Sequence, residues 1–541
     1  MLRIRDARPD EAEALSALVM RSKAYWGYDE KFLAACRDEL GINAEELTAR
    51  RVVVAVDAGT VAGVASLEGS PPEGKLGLLF VEPRLIRTGV GRQLYMHVLR
   101  TARESGFRRL AIDADPHALP FYRAMGAMPP LEVALLPRPR WLRAWTGDAG
   151  RAVHIGNAGE FQRQFGPVPG EAAAHYSCMA VLATPHPAAL VLPNRVPRGW
   201  LGLLARQLAW GEVELYDGLD GHVHRTLGRH LRGLGLPVVA WGHTEAVGEL
   251  SGRRLPEGAL RYESKRASNG LFRELAPAHP GIVVPEQWRP DGRLRAARLI
   301  RARARRGAAT VVKSEHGAGG HGTRIVTSAR RLPRGPLLLE EHIAGGFPRD
   351  VTYDGLVDEC GQVHDVGTAA MDVEDTVYQG ATVGPGVVPG QLDSYAVEFG
   401  HAVGRELART GYRGWYDVDF VAAPDGRLAP TETNLRMSGP SVAFMVQARL
   451  DEIRGDGHLV RSLDHVPLGA RLPERELIAF LRELTQRCAA VDTVLLTSIP
   501  TAAFAPAPYV GLVLAARTTG LLDTAEALVR EAGARLGRMF R

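Results

Sequence analysis

Two carboxylates and an amide dominate the most informative stretch of the sequence. Asp419 lies in an alternating segment typical of a β-strand, a Pro-Asp-Gly turn follows, and Glu432 and Asn434 lie in a second strand. A hairpin of this kind places Asp419 beside Glu432, with Asn434 on the same face. Three oxygen ligands converging on one point suit a hard cation such as Mg²⁺. The pattern predicts a metal site, and an ordinary acidic surface hairpin is the alternative.

Arg436 follows this group two residues after Asn434. A guanidinium cannot ligate a cation, but its fixed fork of donors suits an anionic phosphoryl or carboxylate group. We therefore expect Arg436 to bind an anion beside the metal.

A glycine-rich loop upstream also indicates a phosphate site. Residues 310–313 read as a strand that ends in Lys313, and four glycines follow it: Gly317, Gly319, Gly320 and Gly322. Glycines let successive backbone amides curl around phosphate oxygens, and Lys313 supplies positive charge. Because no Gly-Lys-Ser/Thr closes the loop, it is not a Walker-type P-loop.

A second anion site is predicted near the N-terminus. A strand and a turn precede a helix there, and the amides expected to point outward belong to Arg87, Thr88, Gly89, Val90, Gly91 and Arg92. The dipole of the helix favours negative charge at this end. The glycine pair alone is weak evidence, because it often marks only a tight turn.

The strands and helices that position these groups must belong to several folding units. At 541 residues the chain is too long for one core and should hold three or four units. Strands and helices divide it into residues 1–147, an α/β segment at 151–262, the glycine loop and hairpin at 263–453, and an α+β tail at 454–541. The fold class predicted is a multidomain α/β and α+β protein.

Composition excludes several classes of protein. The chain is 45% hydrophobic and 23% charged, as is ordinary for a soluble enzyme, and no apolar run is long enough for a membrane span. A net charge of +5 does not call for nucleic acid. Four isolated cysteines suggest neither a zinc cluster nor disulfides. We expect a cytoplasmic protein without a membrane or nucleic-acid partner, of unknown oligomeric state.

The most basic stretch, residues 293–306, alternates arginine with alanine and leucine. This pattern is typical of a solvated helix face, and a docking surface for an acidic partner is the alternative.

The order of elements in the first 130 residues resembles the GNAT acetyltransferases, in which the glycine turn holds the pyrophosphate of coenzyme A. The resemblance implies acetyl-CoA as cofactor, and gives Tyr122 of the Phe-Tyr pair the role of protonating the leaving thiolate. A core aromatic is the alternative for Tyr122. Trp26 and Tyr28 are expected in the acceptor pocket.

Two positions depart from the GNAT pattern. Ile86 replaces a Gln or Arg, and His117 replaces an Asn. Neither change removes the backbone amides. No convincing general base is visible, and Glu82, the nearest, is better explained as structural.

The closing motif Asp419…Glu432-Thr-Asn434-Leu-Arg436 resembles that of the ATP-grasp carboxylate–amine ligases. The resemblance implies ATP with Mg²⁺ or Mn²⁺, a Rossmann-like lobe before the nucleotide domain and a C-terminal cap. It assigns the phosphates to Lys265 and Lys313, the adenine edge to Glu340, Glu341 and Ile343, and the substrate to Ser438, Gly439 and Ser441. An ordinary buried strand is the alternative for 337–343.

The layout is closest to the peptide ligases of pheganomycin-type biosynthesis. It implies a bifunctional enzyme that ligates an amino acid or peptide through an acyl phosphate and acetylates an amine, in small-peptide or natural-product biosynthesis. Two alternatives stay open. The ligase could load an amino acid onto a carrier-protein thiol, or the N-terminal domain could bind acyl-CoA only as a regulatory module.

Overall fold

The structure is a computed structural model that describes residues 2–125, 127, 132–135, 139–147, 150–166, 172–219, 225–317, 322–330, 332, 337–345, 348 and 350–539. The chain forms two compact units. The first consists of Met1–Arg138 with Leu450–Gly457, and the second of Pro139–Arg449 with His458–Arg541.

The first unit is built on a six-stranded sheet whose strands follow chain order. All neighbouring strands are antiparallel except the fourth and fifth, which are parallel. The strands are β1 (Arg3–Asp6), β2 (Val53–Asp57), β3 (Thr60–Ser70), β4 (Glu73–Val81), β5 (Arg109–Ile112) and β6 (Glu132–Ala134). The helices are α1 (Ala12–Ala24), α2 (Glu30–Leu40), α3 (Val90–Glu104) and α4 (Leu119–Ala124).

The second unit begins with a four-stranded parallel sheet in the order β10-β7-β8-β9. Its strands are β7 (Ala152–Ile155), β8 (Pro187–Val191), β9 (Glu214–Tyr216) and β10 (Val238–Ala240). Its helices are α5 (Arg140–Thr146), α6 (Ala158–Arg163), α7 (Ala172–Tyr176), α8 (Trp200–Leu208), α9 (Arg225–Gly233) and α10 (Glu245–Ser251). Parallel strands with intervening helices form the α/β lobe that the sequence predicts.

Helix α5 belongs to the second unit, although the predicted first domain extends to residue 147. Trp141 and Trp145 of this helix pack edge-on against Trp415, with ring centroids 5.7 and 5.6 Å away. Contact among these three rings, two of which are buried, joins the helix to the second unit.

A second small sheet carries the glycine loop. Its strands lie antiparallel in the order β11-β14-β12-β13, and are β11 (Gln287–Trp288), β12 (Thr310–Lys313), β13 (Arg324–Val326) and β14 (Leu338–Glu341). Helices α11 (Lys265–Leu275) and α12 (Arg293–Ala304) accompany it. Helix α12 buries Ala296 and Ile300 and exposes most of its arginines, as a solvated basic helix does.

An eight-stranded antiparallel sheet carries the hairpin, in the order β19-β18-β15-β16-β17-β20-β22-β21. The strands are β15 (Asp350–Val357), β16 (Val363–Glu374), β17 (Val377–Val383), β18 (Gly414–Ala422), β19 (Leu428–Asn434), β20 (Leu459–Pro467), β21 (Val494–Ile499) and β22 (Tyr509–Ala516). The helices are α13 (Gly390–Arg409), α14 (Gly439–Arg454), α15 (Glu474–Ala489) and α16 (Thr519–Met539). The three strands of the tail extend this sheet, so the predicted cap is not a separate layer.

Helix α13 lies against this sheet at two glycines. Side chains at Gly400 and Gly404 would overlap the rings of Tyr353 and Tyr416, both fully buried. Absence of a side chain at these two positions therefore sets how closely the helix approaches the sheet.

Gly400→Ala is expected to destabilise the second unit by about 1–3 kcal/mol, because overpacking outweighs the better helix propensity of alanine. The midpoint of urea unfolding measures this. Gly270→Ala is the matched control, since Gly270 lies mid-helix in α11 with no atom within 4 Å of an added Cβ. The control should gain up to about 1 kcal/mol. Equal midpoints for Gly400→Ala and wild type would contradict the packing argument.

Two features of the structure concern membrane spans and disulfides. Among the described residues, no helix is long and apolar enough to cross a membrane. Cys36, Cys178, Cys360 and Cys488 are all free in the structure.

Candidate functional sites

The glycine turn of the first unit leads directly into helix α3. Gly89 precedes the helix with φ 99°, and Arg87 has φ 68°, so the turn uses the left-handed region twice. The first amides of a helix have no intrahelical acceptor, so those of residues 90–92 are suited to an anion. An added Cβ at Gly91 would lie 3.9 Å from the ring of Phe121, which brings the turn close to the Phe-Tyr pair.

Tyr122 lies on α4 and is 6% exposed. Its ring packs near Phe121 and Tyr95, with centroids 5.2 and 6.1 Å away. Burial, together with the charge of Asp115, raises the pKa of the Tyr122 phenol far above neutrality. The hydroxyl therefore keeps its proton at physiological pH, and the raised pKa makes it a weaker acid than an exposed tyrosine.

Trp26 and Tyr28, the predicted acceptor residues, share one cluster with the segment before α4. Trp26 stacks on His117 at 5.2 Å, and the Tyr28 hydroxyl donates to Asp115 at 2.9 Å. Lys23 Nζ lies 2.7 Å from the same carboxylate. Burial opposes the charge of Asp115, but Lys23, the His117 amide and Tyr28 outweigh it and lower the Asp115 pKa. Glu82 forms an ion pair with Arg21 at 2.9 Å, consistent with its structural interpretation.

The hairpin of the second unit has the register that the sequence predicts. Asp419 on β18 is paired with Glu432 on β19, and Asp417 is paired with Asn434. The Asn434 amide donates to Asp417 at 2.6 Å and to Asp419 at 3.2 Å. The three predicted metal ligands therefore lie together, and Asp417 joins them.

A further carboxyl group lies behind this cluster. Asp354 on β15 is fully buried and paired with Asp417 across the sheet. It accepts from the Trp415 indole at 2.7 Å, and its Oδ2 has no partner in the described part of the chain. Burial, with a smaller contribution from Asp419, raises the pKa of Asp354 to about 8.

The carboxyl groups of this cluster would carry an excess of negative charge if all of them were ionised. Burial and repulsion between neighbouring carboxylates raise the pKa values of Asp417 and Asp419 well above the usual range. A divalent cation would offset this repulsion. Among the described residues, no group of three or more His, Cys, Asp or Glu side chains is arranged to hold a metal ion as the side chains stand. Two carboxylates and an amide fit Mg²⁺, which commonly keeps water and takes its other ligands from phosphates.

The two lysines lie in the same site, each paired with an acid. Lys313 Nζ lies 2.6 Å from Glu340 Oε1 and 3.4 Å from the Thr431 carbonyl. Lys265 forms an ion pair with Glu432 and donates to the Gly317 carbonyl at 3.4 Å. Burial opposes ionisation of Glu432, but both lysines lower its pKa overall. The acids of the hairpin and the two lysines therefore belong to one site.

Glu340 is 2% exposed, and both of its oxygens are engaged. Besides Lys313, it accepts from the Gln287 amide at 3.0 Å. Glu340 therefore holds Lys313 in place, and its predicted contact with adenine stays a prediction. Glu341 and Ile343 line the adjoining cavity.

The glycine loop closes at its base, where the Ser314 amide donates to the Gly322 carbonyl at 3.2 Å. Gly322 has φ 84°, and an added Cβ would lie 2.6 Å from Ser314 Oγ, so glycine is required there. Gly317 lines the cavity, whereas Gly319 and Gly320 lie outside the described residues.

Arg436 is buried, with Nε 4.0 Å from Glu263 Oε1. Burial opposes its charge, but Glu263 and the hairpin acids raise its pKa. Glu263 also accepts the Leu435 amide at 2.7 Å, and the Met437 amide donates to the Trp241 carbonyl at 2.8 Å. These bonds fix the segment that presents Arg436 to the cavity.

The predicted substrate segment is placed only in part as expected. Ser438 and Gly439 line the cavity. Ser441 is fully buried, donates to the Ser438 carbonyl at 2.6 Å and accepts the Ser438 amide at 2.7 Å. The prediction that Ser441 faces the substrate is therefore wrong, because its hydroxyl closes the turn at the start of α14.

These groups line one cavity of about 930 Å³. Its described lining contains eight carboxyl side chains against three lysine or arginine side chains. Sequence reasoning missed four of these acids, Glu263, Asp350, Asp417 and Asp464, as well as Tyr378. For Asp417 a signal existed, since it lies two residues from Asp419 on one strand and so faces the same way.

One family model matches part of the first unit. The model of the Acetyltransferase (GNAT) family matches residues 18–127. A solved N-acetyltransferase, PaiA from Thermoplasma acidophilum in complex with coenzyme A, is 15% identical, with a TM-score of 0.21, and covers 23% of this chain and 89% of its own. A search of curated protein sequences finds no match.

Two further solved structures overlap most of the chain. Carboxyaminoimidazole ribonucleotide synthase from Aspergillus clavatus, complexed with ATP, is 15% identical, with a TM-score of 0.44, covering 66% of this chain and 100% of its own. A biotin carboxylase from Campylobacter jejuni is 10% identical, with a TM-score of 0.42, covering 72% and 95%.

Proposed function

We propose, on the premise that residues 18–127 form an acetyltransferase (GNAT) domain, that the chain is a bifunctional enzyme. Its second unit is an ATP- and Mg²⁺-dependent carboxylate–amine ligase of the ATP-grasp type, which forms an amide through an acyl phosphate. One observation carries this proposal: Asp419, Glu432 and Asn434 meet Lys265 and Lys313 at one cavity. Acids that suit a metal beside cations that suit phosphate fit phosphoryl transfer.

The chemistry addresses the poor electrophilicity of a carboxylate. A carboxylate oxygen attacks the γ-phosphorus of ATP, the bond to ADP breaks, and an acyl phosphate forms. An amine then attacks the acyl carbon, phosphate leaves, and the amine loses a proton to give the amide. A bound Mg²⁺ supplies charge neutralisation at the phosphates.

Each residue of the cavity has a defined task in this reaction. Asp419, Glu432 and Asn434 hold the metal, with Mn²⁺ as a substitute, and Asp417 orients Asn434. Lys265 and Lys313 bind phosphate oxygens, and Glu340 positions Lys313. Arg436 stabilises the acyl phosphate and the tetrahedral adduct, where negative charge develops. Ser438 and Gly439 contact the substrate.

The experiment for the ligase is release of ADP and phosphate by the full chain with Mg·ATP and a panel of amino acids, with products identified by mass spectrometry. An amide product, dependent on Mg²⁺ and abolished by chelation, supports the proposal. A thioester on a carrier protein in place of an amide would favour carrier loading. Absence of any ADP release and of any thermal shift with Mg·ATP would overturn the ligase.

The narrower proposal is a peptide ligase of the pheganomycin type, acting in small-peptide or natural-product biosynthesis. It rests on the order of units, with an acetyltransferase domain, a parallel α/β lobe and then the cavity. Its substrates are amino acids or peptides, and the acetyltransferase takes acetyl-CoA and an amine.

Tyr122→Phe is expected to slow acetyl transfer about 100-fold while acetyl-CoA binding stays within about twofold. The substitution removes a proton donor and leaves the pyrophosphate amides of α3 untouched. Thiol release from acetyl-CoA with an amine panel measures turnover, and thermal shift measures binding.

Tyr216→Phe in the second unit is the control for loss of a tyrosine hydroxyl and should behave as wild type. Unchanged turnover in Tyr122→Phe would contradict the acid role. Binding of acetyl-CoA without turnover on any amine would favour the regulatory-module alternative. If acetyl-CoA does not bind at all, the proposal of an acetyltransferase is contradicted.

A further inference from the structure

Asp464 is a buried carboxyl group that the ligase chemistry leaves unused. It is 4% exposed, and neither of its oxygens has a hydrogen-bond partner within the described ranges. Buried polar groups are almost always partnered, and leaving a carboxyl unpaired costs free energy. Such a cost is understandable where a ligand supplies the missing partner.

Asp464 lies at an irregularity in the pairing of two strands. Strand β20 pairs regularly with β22 through Leu463, and pairing resumes at Val466. Asp464 and His465 form the irregularity between these positions. Bulges of this kind re-aim side chains and are common beside active sites. Both residues line the 930 Å³ cavity that holds the hairpin acids.

The surroundings of Asp464 favour a cation. Tyr509 on β22 also lines the cavity, and its ring packs on His465 with centroids 4.3 Å apart. The face of an aromatic ring attracts positive charge. Burial lowers the pKa of His465, so its imidazole is neutral at physiological pH and does not compensate the carboxylate.

Burial raises the pKa of Asp464 to about 8, so at pH 7 the side chain is mainly the neutral acid, and a cation bound beside it would lower that pKa and stabilise the carboxylate. A primary ammonium has three donors and one charge, which two carboxylate oxygens and an aromatic face can satisfy.

We propose that Asp464 binds the α-ammonium group of an amino acid whose carboxylate is activated in the same cavity. This inference rests on the proposed ligase function and names its substrate class as a free amino acid. An ammonium held by a carboxylate is not nucleophilic, so the bound amino acid acts as the acyl donor and the attacking amine comes from a second molecule. Tyr509 forms one wall of this ammonium site.

The test uses the full chain and its Asp464→Asn variant, which keeps the size of the side chain and removes its charge. The probes are the twenty proteinogenic amino acids, with N-acetyl and 2-hydroxy analogues of each active one. ADP release with Mg·ATP gives kcat/KM, and thermal shift with Mg·ATP gives nucleotide binding. Asp291→Asn is the control, because Asp291 is exposed and its carboxylate pairs only with Arg295 in the described chain.

We expect Asp464→Asn to lose about 100-fold in kcat/KM for the active amino acid, with nucleotide binding within about twofold of wild type. Wild type should prefer the amino acid over its 2-hydroxy analogue about 100-fold, and the variant should lose most of that preference. The second readout separates recognition of the ammonium from a general structural defect.

Three results would overturn the inference alone. They are kcat/KM of Asp464→Asn within about threefold of wild type, equal or better use of the N-acetyl analogue, and binding of Mg·ATP without ADP release on any amino acid. Failure of Mg·ATP to bind the wild-type chain would instead overturn the ligase proposal, and this inference with it.

Discussion

Replacing Glu432 with alanine is expected to reduce ATP-dependent amide formation at least about 1000-fold, while ATP affinity falls no more than about tenfold. The metal mainly serves charge that develops during phosphoryl transfer, whereas contacts to the adenine persist in the variant. ADP release measures the first effect, and calorimetric titration of Mg·ATP measures the second.

This substitution has a structural side effect that the experiment must separate. Glu432 is ion-paired with the buried Lys265, so its removal leaves that lysine, among the residues that the structure describes, with the Gly317 carbonyl as its one acceptor. Glu432→Gln keeps a hydrogen-bond acceptor for Lys265 and should fold better while remaining inactive. Asp425→Asn, at the exposed turn of the same hairpin, is the matched control. ADP formation near the wild-type rate in Glu432→Ala would remove the metal assignment.

Lys313→Met is expected to weaken both ATP binding and turnover, each by about 100-fold, because a charge that faces phosphate acts in the ground state and the transition state. It should also destabilise the second unit by about 3–5 kcal/mol, since Glu340 is left as a buried carboxylate without its cation. Calorimetry and urea unfolding measure the two effects.

The double variant Lys313→Met/Glu340→Gln separates the effect on ATP binding from the effect on stability. Removing the orphaned charge should restore most of the stability, because Gln287 can still bond to the new amide. ATP binding should stay weak, since no cation returns. Unchanged titration of ATP in Lys313→Met would contradict the phosphate role, and recovery of binding in the double variant would show that the first loss was structural.

Local patterns were sufficient to predict the hairpin. Asp419 and Glu432 are joined by a short turn, so strand alternation and turn chemistry together fix which residues oppose each other. The same reasoning places Asp417 beside Asn434, although only Asp419 was identified from the sequence. The glycine turn before α3 is equally local, and the family match of residues 18–127 agrees with it.

Partners that are distant in sequence could not be predicted in this way. Asp354 reaches the acid cluster because β15 pairs with β18, and nothing near Asp354 in the sequence indicates that pairing. Asp464 depends on a bulge that exists only where β20 meets β22. Strand β21 reads Val-Leu-Leu-Thr-Ser-Ile and is buried at every position, so it lacks the alternation of apolar and polar residues by which a strand is identified in a sequence.

The extension of one sheet from β19 to β21 has a consequence for any shortened chain. Strand β17 forms its second ladder with β20, at Thr382 and Val383. A protein ending at residue 454 would retain the whole acid hairpin and yet expose the hydrogen-bonding groups of β17 along a free edge. Unprotected edges recruit strands from other molecules, so such a fragment is prone to aggregate. The last 87 residues thus cover the edge of β17 and so oppose self-association, and they also contribute Asp464.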